Sequence, residues 1–173
     1  MLSYSVKSIL LDPSLKIPVD VSLEEKVIQC GEDVYPCLEP WKVTGEIVNV
    51  SGDALEFRGT LTTVIRMSCA RCLKPVDVPL NIPIRQRFIK EGQEVEASLD
   101  DDRDVLYIVN DRVDLKDTIF YEAQLGVPMR VLCRESCLGL CPICGKDLNL
   151  GPCTCVEEDT DPRWDALKDL FSD

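Results

Sequence analysis

Six of the ten cysteines in this 173-residue chain fall between Cys133 and Cys155, as Cys133-RES-Cys137-LGL-Cys141-PI-Cys144-GKDLNLGP-Cys153-T-Cys155, and the chain contains no histidine. Two more form the pair Cys69-AR-Cys72. Closely spaced thiols without histidine restrict the chemistry. Mixed Cys/His metal sites, an imidazole base and histidine-centred triads are all excluded. What remains is tetrahedral thiolate coordination or thiol redox chemistry, because in a reducing compartment such pairs read as metal ligands or redox centres rather than as a disulfide framework.

Cys-x-x-Cys lets one tight turn present two sulfurs to a tetrahedral ion. Cys141-Pro-Ile-Cys144-Gly145 has the form of such a knuckle, with a glycine that lets backbone amides approach the thiolates. Cys153 and Cys155 return after a Leu-Asn-Leu-Gly-Pro segment suited to turning the chain. Spacing therefore favours one local site of Cys141, Cys144, Cys153 and Cys155. Cys133 and Cys137 are four residues apart, which fits one face of a helical turn. They are expected to join Cys69 and Cys72 in a second site; Cys69/Cys72 with Cys141/Cys144 is the alternative pairing. Two zinc ions are expected, with iron the less favoured metal. Four thiolates fill a tetrahedral shell and leave no position for a reactive water, so the expected role is structural. Cys30 and Cys37 lie outside the pattern and read as structural or incidental.

The rest of the chain reads as α+β, with a β-rich N-terminal body. Trp41–Val50 is an expected strand, followed by a turn at Ser51-Gly52-Asp53. Leu55, Phe57, Gly59, Leu61, Thr63 and Ile65 mark one face of a long strand by their period of two. Val76–Ile89 resumes the extended pattern, which puts Cys69 and Cys72 at a hairpin tip. Pro79 and Pro83 cannot donate ladder hydrogen bonds, so this strand is expected at an edge or with a bulge. Glu91–Asp104 reads as an acidic surface loop, and Val105–Val109 as a short strand. Asp114 is the expected cap of a helix over Leu115–Leu125, with Leu115, Ile119 and Ala123 on its buried stripe, Gly126 at its end and Pro128 beyond. Beyond the cysteine block, Asp161 and Pro162 open a last short helix whose stripe is Trp164, Leu167 and Phe171. The expected organisation is a β-rich body over residues 1–128, a cysteine-rich zinc module over 129–156, and an acidic linker with a short helix over 157–173.

Charge narrows the partners. The net charge of −12 opposes binding to a phosphate backbone, where affinity comes from lysine and arginine displacing counterions. A basic protein partner suits such a surface better. A local basic patch of Arg85, Arg87 and Lys90 is the alternative route to direct RNA contact. No run of apolar residues approaches the roughly 20 of a membrane span, and the first residues do not have the pattern of a signal peptide. The expectation is a cytoplasmic protein without membrane contact. There is no Gly-Lys-Ser/Thr phosphate loop, and the acidic residues fall in solvated runs such as Asp100-Asp101-Asp102. Thiol–disulfide exchange at Cys69/Cys72 lacks the helix N-terminus that usually lowers the thiol pKa in such motifs. A rubredoxin-like iron electron carrier is a further alternative, since thiolates bind iron as well as zinc.

Cys69-Ala-Arg-Cys72-Leu73, Leu132-Cys133-Arg-Glu-Ser-Cys137, the block from Gly139 to Cys155, and Asp161-Pro-Arg-Trp164 with Leu167-Lys168 resemble, in that order, the bacterial and plastid YceD family. That resemblance implies a role in accumulation of large-subunit ribosomal RNA and no established enzymatic activity. Combined with the charge, it points to a non-enzymatic ribosome-biogenesis factor that holds a basic ribosomal protein or a large-subunit assembly intermediate.

Overall fold

The computed structural model describes residues 2–51, 54–90 and 105–155. Its centre is a five-stranded sheet of β2 (Lys16–Leu23), β5 (Trp41–Ser51), β6 (Ala54–Ser68), β7 (Pro75–Lys90) and β8 (Leu106–Ile108), in the order β2-β5-β6-β7-β8. Two small antiparallel pairs accompany it, β1 (Ser3–Ser5) with β9 (Arg112–Asp114) and β3 (Val27–Cys30) with β4 (Asp33–Pro36). Among the described residues, α-helix is confined to α1 (Lys7–Leu11) and α2 (Lys116–Leu125). The α+β class and β-rich body are as expected; α1 is an addition, in a region the sequence pattern assigns mainly to strands.

Alternation explains the long strands. In β6 the odd positions Leu55, Phe57, Leu61, Thr63, Ile65 and Met67 are buried, while Arg58, Thr62, Arg66 and Ser68 are exposed. A period of two places one side of a strand on the core and the other in water. β6 and β7 pair antiparallel without interruption from Ala54↔Ile89 to Ser68↔Pro75. The hairpin therefore runs the full length of both strands and carries its connecting residues, Cys69–Lys74, out to its tip.

The prolines in β7 sit where a sheet tolerates them. β8 joins β7 only at Phe88–Lys90. From Pro75 to Arg87, β7 has β6 as its one strand neighbour among the described residues, so this stretch is an edge. Pro75, Pro79 and Pro83 share one parity, and residues of one parity turn their N–H positions to the same side. Lost donors cost nothing to the ladder when they face the open side.

The core lies between the sheet and α2, with Trp41, Phe57, Phe88, Ile47, Leu61 and Ile84 among its fully buried side chains. Leu115, Ile119 and Ala123 are all fully buried along α2, and Phe120 places its ring 5.0 Å from that of Trp41. The helix starts one residue later than expected, and the cap position falls to Leu115, which offers no side-chain cap bond, rather than to Asp114. Asp114 precedes the cap, and its Oδ1 accepts the N–H of Lys116 at 2.9 Å in a local side-chain turn. Gly126 ends the helix with φ −76, outside the left-handed region. Space is what demands glycine there, because a Cβ would lie 2.3 Å from Ile82 Cδ1. The expected acidic loop, residues 91–104, the turn residues 52–53 and the terminal helix with Trp164, Leu167 and Phe171 lie outside the described residues.

Candidate metal centre

The hairpin tip is a tight knuckle. Cys69 N–H donates to the Lys74 carbonyl at 2.8 Å and Leu73 N–H donates to the Cys69 carbonyl at 2.9 Å. This turn requires a left-handed residue after the second cysteine, and Leu73 adopts φ 60. The chain returns beside the tip at Val131, which forms a parallel bridge with Cys69, while Ala70 N–H donates to the Val131 carbonyl at 2.9 Å. That docking delivers Cys133 and, after a turn closed by Cys137 N–H on the Arg134 carbonyl at 3.1 Å, Cys137. The expected helical turn over these two cysteines is replaced by this single tight turn. The bridge of Val131 to Cys69 sets the direction in which the chain reaches Cys133, and the turn from Arg134 to Cys137 brings the second sulfur alongside.

The second knuckle repeats the first. Cys141 N–H donates to the Lys146 carbonyl at 2.8 Å, and Gly145 N–H to the Cys141 carbonyl at 2.9 Å, with Gly145 at φ 72. Both are Cys-x-x-Cys followed by a left-handed residue and then lysine, Leu73-Lys74 in one and Gly145-Lys146 in the other.

The sulfurs gather into two tetrads. Cys69, Cys72, Cys133 and Cys137 form one, and Cys141, Cys144, Cys153 and Cys155 the other; within each, all sulfur atoms lie within 4.8 Å of one another. Cys69 Sγ is 3.9 Å from Cys137 Sγ and Cys72 Sγ is 3.6 Å from Cys133 Sγ. Four sulfurs about 2.3 Å from a common centre at tetrahedral corners stand about 3.8 Å apart, whereas a disulfide needs about 2.05 Å. The donor set and its spacing fit one metal ion per tetrad, two in all. The chain divides at Cys137, and the alternative grouping of Cys69/Cys72 with Cys141/Cys144 is not the one the sulfurs adopt. The first tetrad is the more enclosed, with Cys69, Cys72 and Cys137 buried and Cys133 exposed; in the second only Cys141 is buried.

Electrostatics separates the thiols within each tetrad. Backbone N–H donors, from Cys133 and Arg71 first, lower the Cys69 pKa to about 6. Donors from Cys144 and Ile143 lower that of Cys141 to about 6. Cys133 is pushed up to about 12, first by the neighbouring Cys72 thiol and then by burial. Cys155 is likewise pushed up to about 12, first by Cys144 and then by burial. Like charges crowded at this distance oppose ionisation of the last thiols. A divalent cation reverses this balance, since a coordinating thiol is deprotonated outright.

A shell of polar groups surrounds the sulfurs, and spacing alone did not reveal it. Arg71 Nη1 donates to the Cys137 carbonyl at 2.7 Å, and Lys74 Nζ lies 2.7 Å from Asp147 Oδ2. Asn149 Nδ2 approaches Cys137 Sγ at 3.6 Å. Gly139, at φ 79, lets the chain pass the hairpin tip; a Cβ there would come within 3.0 Å of the Arg71 carbonyl oxygen. The lysine after each knuckle was the available signal, because both bond outside their own turn: Lys74 to Asp147, and Lys146 Nζ to the Pro152 carbonyl at 2.7 Å. Cys30 and Cys37 lie apart from both tetrads. Cys30 Sγ is 3.6 Å from the Gln124 carbonyl, and Cys37 Sγ accepts from Trp41 Nε1 at 3.2 Å.

A β-sheet body bearing two Cys-x-x-Cys knuckles, each completed by a second cysteine pair, defines a class of protein able to hold metal ions in closed four-sulfur sites. The chain belongs to the YceD family: the family model described as "Large ribosomal RNA subunit accumulation protein YceD" matches residues 57–171. An uncharacterized protein of Mycobacterium bovis is 31% identical over 113 residues, which cover 65% of this chain and 54% of that relative. An uncharacterized protein of Mycobacterium tuberculosis H37Rv matches with the same figures. One of Mycobacterium leprae is 28% identical over 152 residues, covering 88% of this chain and 65% of the relative. The chain thus spans between about half and two thirds of the length of these curated relatives. No solved structure matches. Among the described residues, no helix is long and apolar enough to cross a membrane.

Proposed function

We propose that this protein is a non-enzymatic ribosome-biogenesis factor that supports accumulation of large-subunit ribosomal RNA by binding a basic ribosomal protein or an assembly intermediate. The family match over residues 57–171 carries the ribosomal part of this reading. The net charge of −12 favours a protein partner over direct contact with RNA. Zinc in both tetrads is structural. Eight thiols in two closed sets support that role, because a filled four-thiolate shell has no open position for water or substrate. A cytoplasmic location belongs to this reading, because thiolate ligands persist in a reducing compartment.

Two measurements test this reading. Native mass spectrometry of the intact protein is expected to give two zinc ions; a red, iron-loaded protein would replace the structural role with electron transfer. Affinity purification after nuclease treatment is expected to retain a large-subunit ribosomal protein, with recovery falling as salt rises. Recovery abolished by nuclease, together with RNA binding lost on changing Arg85 and Arg87, would establish direct RNA contact instead.

A further inference from the structure

The loop that joins the two halves of the second tetrad also completes the surroundings of the first. It runs between Cys144 and Cys153, so filling the second tetrad pins both its ends. A short 3-10 turn, Leu148–Leu150, stands at its centre, capped by Asp147, whose Oδ1 accepts the Asn149 N–H at 2.9 Å. The loop is docked on the first tetrad's side by Leu148 N–H on the Gly139 carbonyl at 2.9 Å and by the Lys74–Asp147 ion pair.

Asn149 is the point of contact. Its Oδ1 accepts from Arg134 Nη2 at 2.7 Å and from Leu138 N–H at 2.9 Å. Its Nδ2 donates to Asp147 Oδ1 at 2.6 Å and approaches Cys137 Sγ at 3.6 Å. All four hydrogen-bonding positions of the amide are used. Reversing the amide would set its oxygen against a carboxylate and a thiolate, and its NH2 against two donors, so the network admits one orientation. Asn149 thereby holds the Cys133–Cys137 turn at three places: the residue after each cysteine, and the Cys137 sulfur itself.

We infer that Asn149 is a positioning residue through which the two metal sites are coupled, occupancy of the second tetrad strengthening metal binding at the first. This rests on the reading of both tetrads as zinc sites. The second tetrad draws on residues 141–155 alone, whereas the first must bring Cys69 and Cys72 to Cys133 and Cys137. Loop closure grows more costly with length, so the local site can form without the distant one and supply the distant one with its outer hydrogen bonds. Groups outside the ligand shell that orient a ligand change metal affinity by about 10- to 100-fold when removed. Coupling is reciprocal, so filling the first tetrad raises affinity at the second by the same factor.

The experiment is competition between a chromogenic chelator and the full reduced chain for zinc, with cobalt substitution as a spectroscopic readout. Emptying the second site by Cys153→Ser with Cys155→Ser is expected to weaken the first site about tenfold. Asn149→Ala in the otherwise unaltered chain is expected to weaken the first site by about the same factor, and to add little in the emptied background. Asn149→Asp keeps acceptors for Arg134 and Leu138 but removes the donor facing Cys137; it is expected to weaken the first site and shift its sulfur-to-cobalt charge-transfer band. First-site affinity unchanged within about twofold in the emptied variant would overturn the coupling. If that variant does not fold, an unchanged cobalt spectrum and affinity in Asn149→Ala and Asn149→Asp would do the same. A chain that takes up no zinc would instead overturn the structural-zinc reading, and two ions that fill independently would leave that reading intact.

Discussion

Leu73 and Gly145 hold the same place in two turns of one design: each follows the second cysteine of a knuckle, each adopts a left-handed backbone, and each donates its N–H to the first cysteine's carbonyl at 2.9 Å. Only one of the two is the residue that conformation favours. A side chain in the left-handed region costs about 1–2 kcal/mol, and the extra freedom of glycine in the unfolded chain returns about 0.5–1 of it. Leu73 is 66% exposed, so little packing is lost on shortening it. Leu73→Gly is expected to raise stability by about 0.5–1 kcal/mol, and Gly145→Leu to lower it. Thermal unfolding of the metal-loaded proteins checks both signs.

Removing one ligand from either tetrad should act on metal content and stability together. Cys72→Ser and Cys144→Ser are each expected to reduce the bound metal from two ions to one and to lower the unfolding temperature, because metal binding contributes directly to folding. Native mass spectrometry beside calorimetry is the check. Two ions retained in both variants would remove these sulfurs from the ligand sets.

Cys37 satisfies the indole of Trp41, which is 1% exposed. Cys37→Ala leaves that N–H without its acceptor and is expected to cost about 1–3 kcal/mol. The loss should shrink when Trp41 is also changed to Phe, because the stranded donor is then gone. Metal content is expected to stay the same in all three variants. Chemical denaturation across this double-mutant cycle provides the measurement.

Gly126 leaves no room for a methyl group against Ile82. Gly126→Ala is expected to destabilise by about 1–3 kcal/mol, as overpacking does, although alanine is the better helix former. A companion Ile82→Val change, which shortens the side chain at the point of collision, is expected to recover part of the loss. Unfolding midpoints of the single and double variants decide it.

Much of this structure is legible from residue order. The period of two in Leu55, Phe57, Leu61 and Ile65 gives the long strand. Pro79 and Pro83 put its partner at an edge or a bulge, where missing donors go unfelt, and the edge is the one of the two that the structure adopts. The cysteine spacing favours the two tetrads, because a tight turn can supply two sulfurs to one centre, but it leaves Cys69/Cys72 with Cys141/Cys144 open until the sulfurs are placed. Contacts between distant segments are less legible. Cys133 and Cys137 have a spacing equally suited to a helix, and the docking of Val131 beside Cys69 decides against one. α1 is five residues long with one buried side chain, Ile9, too short to establish a helical period. Asn149 and Asp147 look like ordinary turn residues; their contacts with Cys137 and Lys74 exist only once the hairpin tip meets the cysteine-rich segment.

The three prolines of β7 have a consequence for how this protein behaves in a crowd. Along the stretch from Pro75 to Arg87, which has no second strand neighbour among the described residues, every second outward position up to Pro83 lacks an amide hydrogen. A strand from another molecule laid against that border would find its acceptors answered only intermittently. Strand-by-strand growth into fibres, the standing hazard of a long uncovered sheet margin, is therefore discouraged along this stretch by the covalent structure of the chain itself, whether or not any metal is bound.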